Sequence, residues 1–134
     1  YREITFTAPY IDLIDEFTLM ELLDFHFAFK QPIHQHTTQS LLQLSGLEKQ
    51  KNKAIKSFSS GMKQRVKLLT TLMSSNKIVI LDEPTTNLDQ AGVEWYLQLV
   101  ETAKTDKIII TGSNMEREYS YCNHVINIAD YKNF

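Results

Sequence analysis

The sequence predicts an α/β protein organised around a parallel sheet, and three observations predict it. Ile78-Val79-Ile80-Leu81 and Ile108-Ile109-Ile110 are short unbroken apolar runs, the pattern of strands covered on both faces. Between and around them lie stretches whose apolar residues recur every three or four positions, as in helices packed on a core. Strands that alternate with helices require parallel neighbours joined by right-handed crossovers.

Each element has its own signal. Ile4-Thr5-Phe6-Thr7-Ala8 alternates as a short strand and stops at Pro9. Thr18 and Glu21 stand three apart as a capping box, so a helix follows through Leu22, Leu23 and Phe25 to about Phe29. Lys30 to Thr38, with Pro32, reads as a loop. A second helix around Ser40 to Leu44 stops at Gly46, a C′ glycine. Glu48 to Ser57 is polar, lysine-rich and loop-like. Ser60 to Ser74 carries Met62, Val66, Leu69, Leu72 and Met73 at helical spacing. Asp89 can cap a helix whose apolar face holds Val93, Tyr96, Leu97 and Val100. Met115 to Tyr121 reads as a short helix, and His124-Val125-Ile126-Asn127-Ile128 as a third strand. Organisation changes near Ser57: residues 1–57 are mostly helical, residues 58–134 alternate as α/β.

The chain has 134 residues, one domain or part of one. Its net charge of -2 gives no overall drive toward nucleic acid or anionic lipid. The acidic run (Asp12 to Asp24) and the basic run (Lys49 to Lys67) are read as solvated surface. Cys122 is the single cysteine, which excludes an intrachain disulfide and suits a reducing compartment. No apolar run is long enough to cross a bilayer. Tyr1-Arg2-Glu3-Ile4 is not a signal peptide and lacks an initiating Met, which is expected of an excised or processed piece. His34-Gln35-His36, with His26 nearby, is read as incidental loop histidines, because structural zinc wants four ligands. Phe25, Phe27 and Phe29 are assigned to core packing, and any exposed remainder is a surface for a partner's helix.

Two stretches carry chemistry. Asp82-Glu83 ends the Ile78–Leu81 run, at the carboxyl edge where parallel sheets gather functional groups. Adjacent acids there point different ways, so one can hold Mg²⁺ and the other can orient a nucleophilic water. The plain alternative is an acidic strand end that begins a turn at Pro84. Phe58-Ser59-Ser60-Gly61-Met62 is the second stretch. Hydroxyls and a glycine at a helix start present free backbone N–H groups and the positive end of the dipole to an anion. The plain alternative is N-capping by Ser59 or Ser60.

Taken together, in this order and at this separation, with "EPTTNLD" behind them, these stretches resemble the ATP-binding cassette (ABC) ATPases. "FSSGM" resembles their signature loop, "KIVILDE" their Walker B strand with the catalytic Glu, and "TNLD" their D-loop. The resemblance implies a partial P-loop (RecA-like) ATPase core plus the ABC helical subdomain. It implies that Ser59, Ser60 and Gly61 contact the γ-phosphate of an ATP held mainly by a second cassette, in a homodimer, and that Met62 and Asp89 belong to the same nucleotide-binding set. Asp82 would bind Mg²⁺ through water, Glu83 would polarise the attacking water, and Asp89 would communicate across the dimer. A separate membrane-spanning transporter subunit would dock on the acidic, aromatic region Tyr10–Phe29, placing the chain on the cytoplasmic face of the membrane. No nucleic-acid partner is expected.

Three departures from the family pattern stand out. No Gly-x₄-Gly-Lys-Ser/Thr loop occurs, so this chain alone is expected to bind ATP poorly and not to hydrolyse it. The family's glutamine after the first strand is replaced by Thr7-Ala8-Pro9-Tyr10, so backbone carbonyls or the Tyr10 hydroxyl would have to serve. Ser113 stands at the switch histidine's position, where it can donate a hydrogen bond to phosphate but carry no charge. Slow hydrolysis by the intact protein is the expectation. Two other functions remain open: a non-transport ABC ATPase, and a non-catalytic binding or regulatory module that keeps the signature without the loop.

Overall fold

The computed structural model describes residues 3–105 and 107–131. Its elements run β1 (Ile4–Thr7), α1 (Leu19–Phe29), α2 (Thr38–Ser45), α3 (Ser60–Leu72), β2 (Ile78–Asp82), α4 (Gln90–Ala103) and β3 (Ile108–Gly112). The three strands form a parallel sheet in the order β1-β2-β3, with Ile4 opposite Ile78 and Ile78 opposite Ile108.

Each helix begins where a side chain satisfies its first free amides. Thr18 and Glu21 close the expected capping box on α1: Thr18 N–H donates to Glu21 Oε2 at 2.8 Å, and Glu21 N–H donates to Thr18 Oγ1 at 3.3 Å. Those donors, the backbone amide first, hold the Glu21 carboxyl below its ordinary range. Thr37 caps α2, which ends at Gly46 with φ 70, the left-handed conformation a C-terminal glycine supplies. Ser59 caps α3 and Asp89 caps α4.

The core lies between α3, α4 and one face of the sheet, and continues between α1 and α2. Val66, Leu69, Leu72, Val79, Leu81, Tyr96 and Val100 are all fully buried in it. Thr5 and Thr7 of β1 point the same way, and Thr5 Oγ1 donates to Thr71 O at 3.2 Å.

Several expectations are corrected. The strand residues 78–81 and 108–110 are not covered on both faces. Among the described residues helices pack on the Val79 and Leu81 side only, so burial alternates along β2 and β3. Ile108 is 62% and Ile110 52% exposed, in register with Ile4 and Phe6, which are also exposed. His124–Ile128 does not pair as a third strand after Ile110. It runs as an irregular segment into a 3₁₀ turn at Ile128–Tyr131, with Val125, Ile126 and Ile128 exposed. Hydrophobic composition marked it, but a strand needs a neighbour to take its hydrogen bonds, and among the described residues none does. Met115 to Tyr121 forms only a 3₁₀ turn at Glu116–Glu118. Residues 48–57 are more ordered than a loop: Ile55 is fully buried and its N–H donates to Phe17 O at 2.9 Å. Phe27 is core, whereas Phe25 and Phe29 are exposed and stack edge to face at 5.1 Å. Lys67, read as solvated, is buried, and Lys63 pairs with Asp15 at 2.7 Å.

Candidate functional site

The acid pair closes β2. Asp82 is the last residue of the strand, half-buried, and pairs in register with Gly112 at the end of β3. A Cβ on Gly112 would lie 3.5 Å from Asp82 Oδ1, so the carboxylate rests against the bare edge of the neighbouring strand. Glu83 turns out of the sheet with φ 42, while its N–H still donates to Gly112 O at 2.9 Å. A side-chain-bearing residue in the left-handed region costs on the order of 1 kcal/mol, and such strain concentrates at functional sites. The twist leaves Glu83 exposed while Asp82 stays half-buried, so the two adjacent acids do take different directions.

The chain then folds into a tight turn. Thr86 N–H donates to Glu83 O at 3.1 Å and Leu88 N–H to Thr85 O at 3.0 Å, and Asn87 adopts φ 66. Asp89 ends the turn by accepting Gly92 N–H at 2.8 Å as the cap of α4.

The start of α3 packs on this turn. Gln64 Nε2 donates to Pro84 O at 2.8 Å. Gly61 passes so close to Asn87 that an added Cβ would lie 2.8 Å from its carbonyl oxygen. The glycine is therefore required inside the chain, whatever else approaches it. Ser59 Oγ accepts Met62 N–H at 3.2 Å, so capping takes one of the first-turn amides. Ser60 and Gly61 belong to that same first turn, where backbone N–H groups have no intrahelical acceptor. Met62 is half-buried against the core. The head of α3 thus packs on the turn that follows the acid pair.

Ser113 follows Gly112, which pairs with Asp82, and its hydroxyl bonds to the segment after β3. Ser113 Oγ accepts Met115 N–H at 2.8 Å and donates to Glu118 Oε2. Glu118 is 1% exposed. Its other oxygen accepts Thr85 N–H at 2.9 Å and the Thr85 hydroxyl. Sequence reasoning missed Glu118, because an acid within "NMEREYS" looks like helix surface; no local spacing marks it. Behind it, Tyr96 Oη donates to Glu118 O at 3.0 Å and shares a hydrogen bond with Tyr121 Oη at 2.7 Å. Burial pushes both phenols up. A cleft of about 350 Å³ opens between turn and segment, with Glu83, Thr86, Asn87, Asn114 and Arg117 among its lining residues.

The glutamine's expected substitutes are differently placed. Ala8 O and Pro9 O accept from Lys67 Nζ at 3.2 and 3.1 Å, and burial lowers the pKa of that ammonium. Tyr10 is 71% exposed. Each histidine has its own partner: His26 bonds Ser74, His34 approaches Thr102 O and His36 bonds Ser40, with the His34 and His36 rings edge to face at 6.4 Å. Among the described residues no three metal-ligating side chains converge. The acid pair is thus no protein-only cage. Its oxygen donors suit Mg²⁺, which retains waters and takes one or two carboxylates together with phosphate oxygens. Among the described residues the ion pairs are Lys63–Asp15 and Lys104–Glu101, and neither occupies Asp82 or Glu83.

Residues 4–86, from β1 through the acid pair and into the turn, match the family described as ABC transporter. The chain belongs to the ABC transporter family. Asp89 and Ser113 lie beyond the matched span. A lantibiotic transport ATP-binding protein, SrtF, of Streptococcus pyogenes is 32% identical over 102 residues, 76% of this chain and 42% of that protein. A putative hemin import ATP-binding protein, HrtA, of Staphylococcus epidermidis is 29% identical over 127 residues, 93% of this chain and 56% of that protein. The chain spans about half the length of these two bacterial relatives. Among solved structures, a putative ABC transporter ATP-binding protein of Pyrococcus furiosus superposes with a TM-score of 0.78 at 21% identity, over 96% of this chain and 64% of that one. An ATP-binding subunit of an ABC transporter gives 0.74 at 22% identity, over 91% and 53%. The shared fold is the parallel α/β sheet with its helices. No helix among the described residues is long and apolar enough to cross a membrane.

Proposed function

We propose that this chain is the signature and Walker B part of an ABC ATPase subunit, which binds and hydrolyses ATP to power transport across a membrane. The observation that carries the proposal is the docking of the α3 start on the turn behind Asp82-Glu83, through Gln64–Pro84 and Gly61–Asn87. An N-capping serine and an acidic strand end each have plain explanations alone; the packing of one on the turn behind the other, in a family fold, favours a link between the nucleotide the acid pair serves and the one the α3 head serves. The names of SrtF and HrtA, both transport proteins, favour transport over other uses of ABC ATPases.

In this reading residues 1–57 supply the first strand and the helical subdomain, and residues 58–134 the signature helix and catalytic half of the core. Phosphoryl transfer asks a protein for positioning and charge neutralisation rather than covalent work. Bound Mg²⁺ supplies the neutralisation at the phosphate oxygens, and Asp82, half-buried against Gly112, is the residue that would hold it. Glu83, strained outward and exposed, is free to accept a hydrogen bond from the attacking water. The first-turn amides of Ser60 and Gly61 have no intrahelical acceptor, which suits a γ-phosphate held mainly by a second copy. Asp89 stabilises α4 and fixes the end of the turn, which suits a residue that reports across a dimer. ATP's phosphate loop would come from a longer protein, and a membrane-spanning subunit would dock on Tyr10–Phe29 at the cytoplasmic face. Exposed Phe25 and Phe29 are suited to that contact.

The test is ATP turnover by the intact protein carrying Glu83→Gln. Turnover falls by about 10³-fold or more while Mg²⁺-ATP binding persists. Undiminished turnover refutes the assignment, and a wild type that neither binds nor hydrolyses ATP points to the regulatory module.

A further inference from the structure

Glu118 is buried at 1% exposure, yet no cation pairs with it among the described residues. Burying a carboxylate is tolerated only when its oxygens are hydrogen-bonded. Here three donors do so, and they come from two functional segments. Thr85, two residues beyond Glu83, gives its N–H and its hydroxyl to Oε1. Ser113, one residue beyond the strand end opposite Asp82, gives its hydroxyl to Oε2.

We propose that Glu118 is a positioning residue of the hydrolytic site: its carboxylate holds the turn behind Glu83 through Thr85 and takes the single hydroxyl proton of Ser113. The proposal rests on the ATPase reading above.

Two consequences follow from the donor inventory. A serine hydroxyl has one proton. While that proton points at Glu118, Ser113 cannot donate to a phosphate, so Ser113 acts by tying its segment to the turn. The turn itself is held by two elements. Gln64 of α3 holds Pro84 O, and Glu118 holds Thr85. Glu83 sits immediately before both anchors, in a left-handed conformation that its surroundings must enforce. Loss of one anchor lets Glu83 drift, and misplacement by about 1 Å costs on the order of 10²-fold in rate.

The experiment uses the intact protein and measures kcat and KM for ATP, with thermal unfolding alongside, for Glu118→Ala, Glu118→Gln and the Glu83→Gln control. Alanine removes all acceptors. Glutamine keeps an oxygen for Thr85 and presents an amide to Ser113 Oγ, which can accept. The expected result is a kcat about 10- to 100-fold lower for Glu118→Ala with KM for ATP within about threefold, and recovery to within about threefold of wild type for Glu118→Gln. A kcat within twofold of wild type for Glu118→Ala overturns the proposal. So does an equal loss in both variants, or a KM that rises as kcat falls. Should Glu118→Ala not fold, the glutamine variant decides: a loss beyond tenfold in a folded Glu118→Gln protein overturns it. If Glu83→Gln leaves turnover intact, the ATPase reading has failed; if only the Glu118 variants behave as wild type, the positioning role alone has failed.

Discussion

Gly61→Ala separates two reasons for a glycine at the head of α3. If the residue is bare only so that a phosphate can approach, alanine is harmless without nucleotide. It even gains up to about 1 kcal/mol, the helix propensity of alanine over glycine. The structure gives another reason. The new methyl would lie 2.8 Å from Asn87 O, a backbone atom in a turn held at both ends. Either α3 or the turn must shift, and overpacking of this kind costs about 1–3 kcal/mol. A clash with backbone rather than with a flexible side-chain end puts the cost at the top of that range, so after the propensity gain the net loss is about 2 kcal/mol, or roughly 4–8 °C in Tm for the intact protein. The assay is thermal unfolding of the intact protein in nucleotide-free buffer containing EDTA. A Tm equal to or above wild type would refute the steric reasoning and return Gly61 to the phosphate alone.

Two other predictions concern stability. Burial, which disfavours the imidazolium, and repulsion from Lys30 push the pKa of His26 down from 6.5 to about 4. Between those pH values the unfolded chain binds a proton that the folded chain refuses, so stability falls as pH drops from 6.5 towards 4, by about 3 kcal/mol in total. Urea unfolding at stepped pH reads this slope, and His26→Gln, which keeps a partner for Ser74, flattens it. The exposed apolar sheet face, Ile4, Phe6, Ile108 and Ile110, makes the 134-residue chain self-associate when prepared alone. Light scattering shows the particle mass fall when Ile108→Lys and Ile110→Lys are combined; an unchanged mass places the contact elsewhere.

What was legible in the sequence was local. Thr18 and Glu21, Gly46, Ser59 and Asp89 each mark a helix end by a rule that spans four residues, and all four helices start or stop at those marks. The acid pair and the serine-glycine turn were legible because their order and spacing are shared with a family. What was not legible depends on distant residues. Ile108 and Ile110 look like core because composition does not say whether a second layer covers them. Val125 to Ile128 look like a strand because periodicity does not say whether a partner strand is in reach. Glu118 looks like surface because only the fold brings Thr85 and Ser113, 33 and 5 positions away, to its carboxylate. Lys67 looks like surface for the same reason: its acceptors are the carbonyls of Ala8 and Pro9.

In the proposed homodimer, the α3 head and the acid pair of one chain serve nucleotides held by different subunits. Mixing two inactive versions of the intact protein, Ser60→Arg and Glu83→Gln, tests this directly. Each homodimer is damaged at both sites, but a mixed dimer joins one intact α3 head to one intact acid pair. Equal mixing, followed by subunit exchange, restores ATP turnover to about a quarter of wild type, since half the dimers are mixed and each has one whole site. No recovery, with mixed dimers demonstrated by affinity-tag pull-down, would contradict the account.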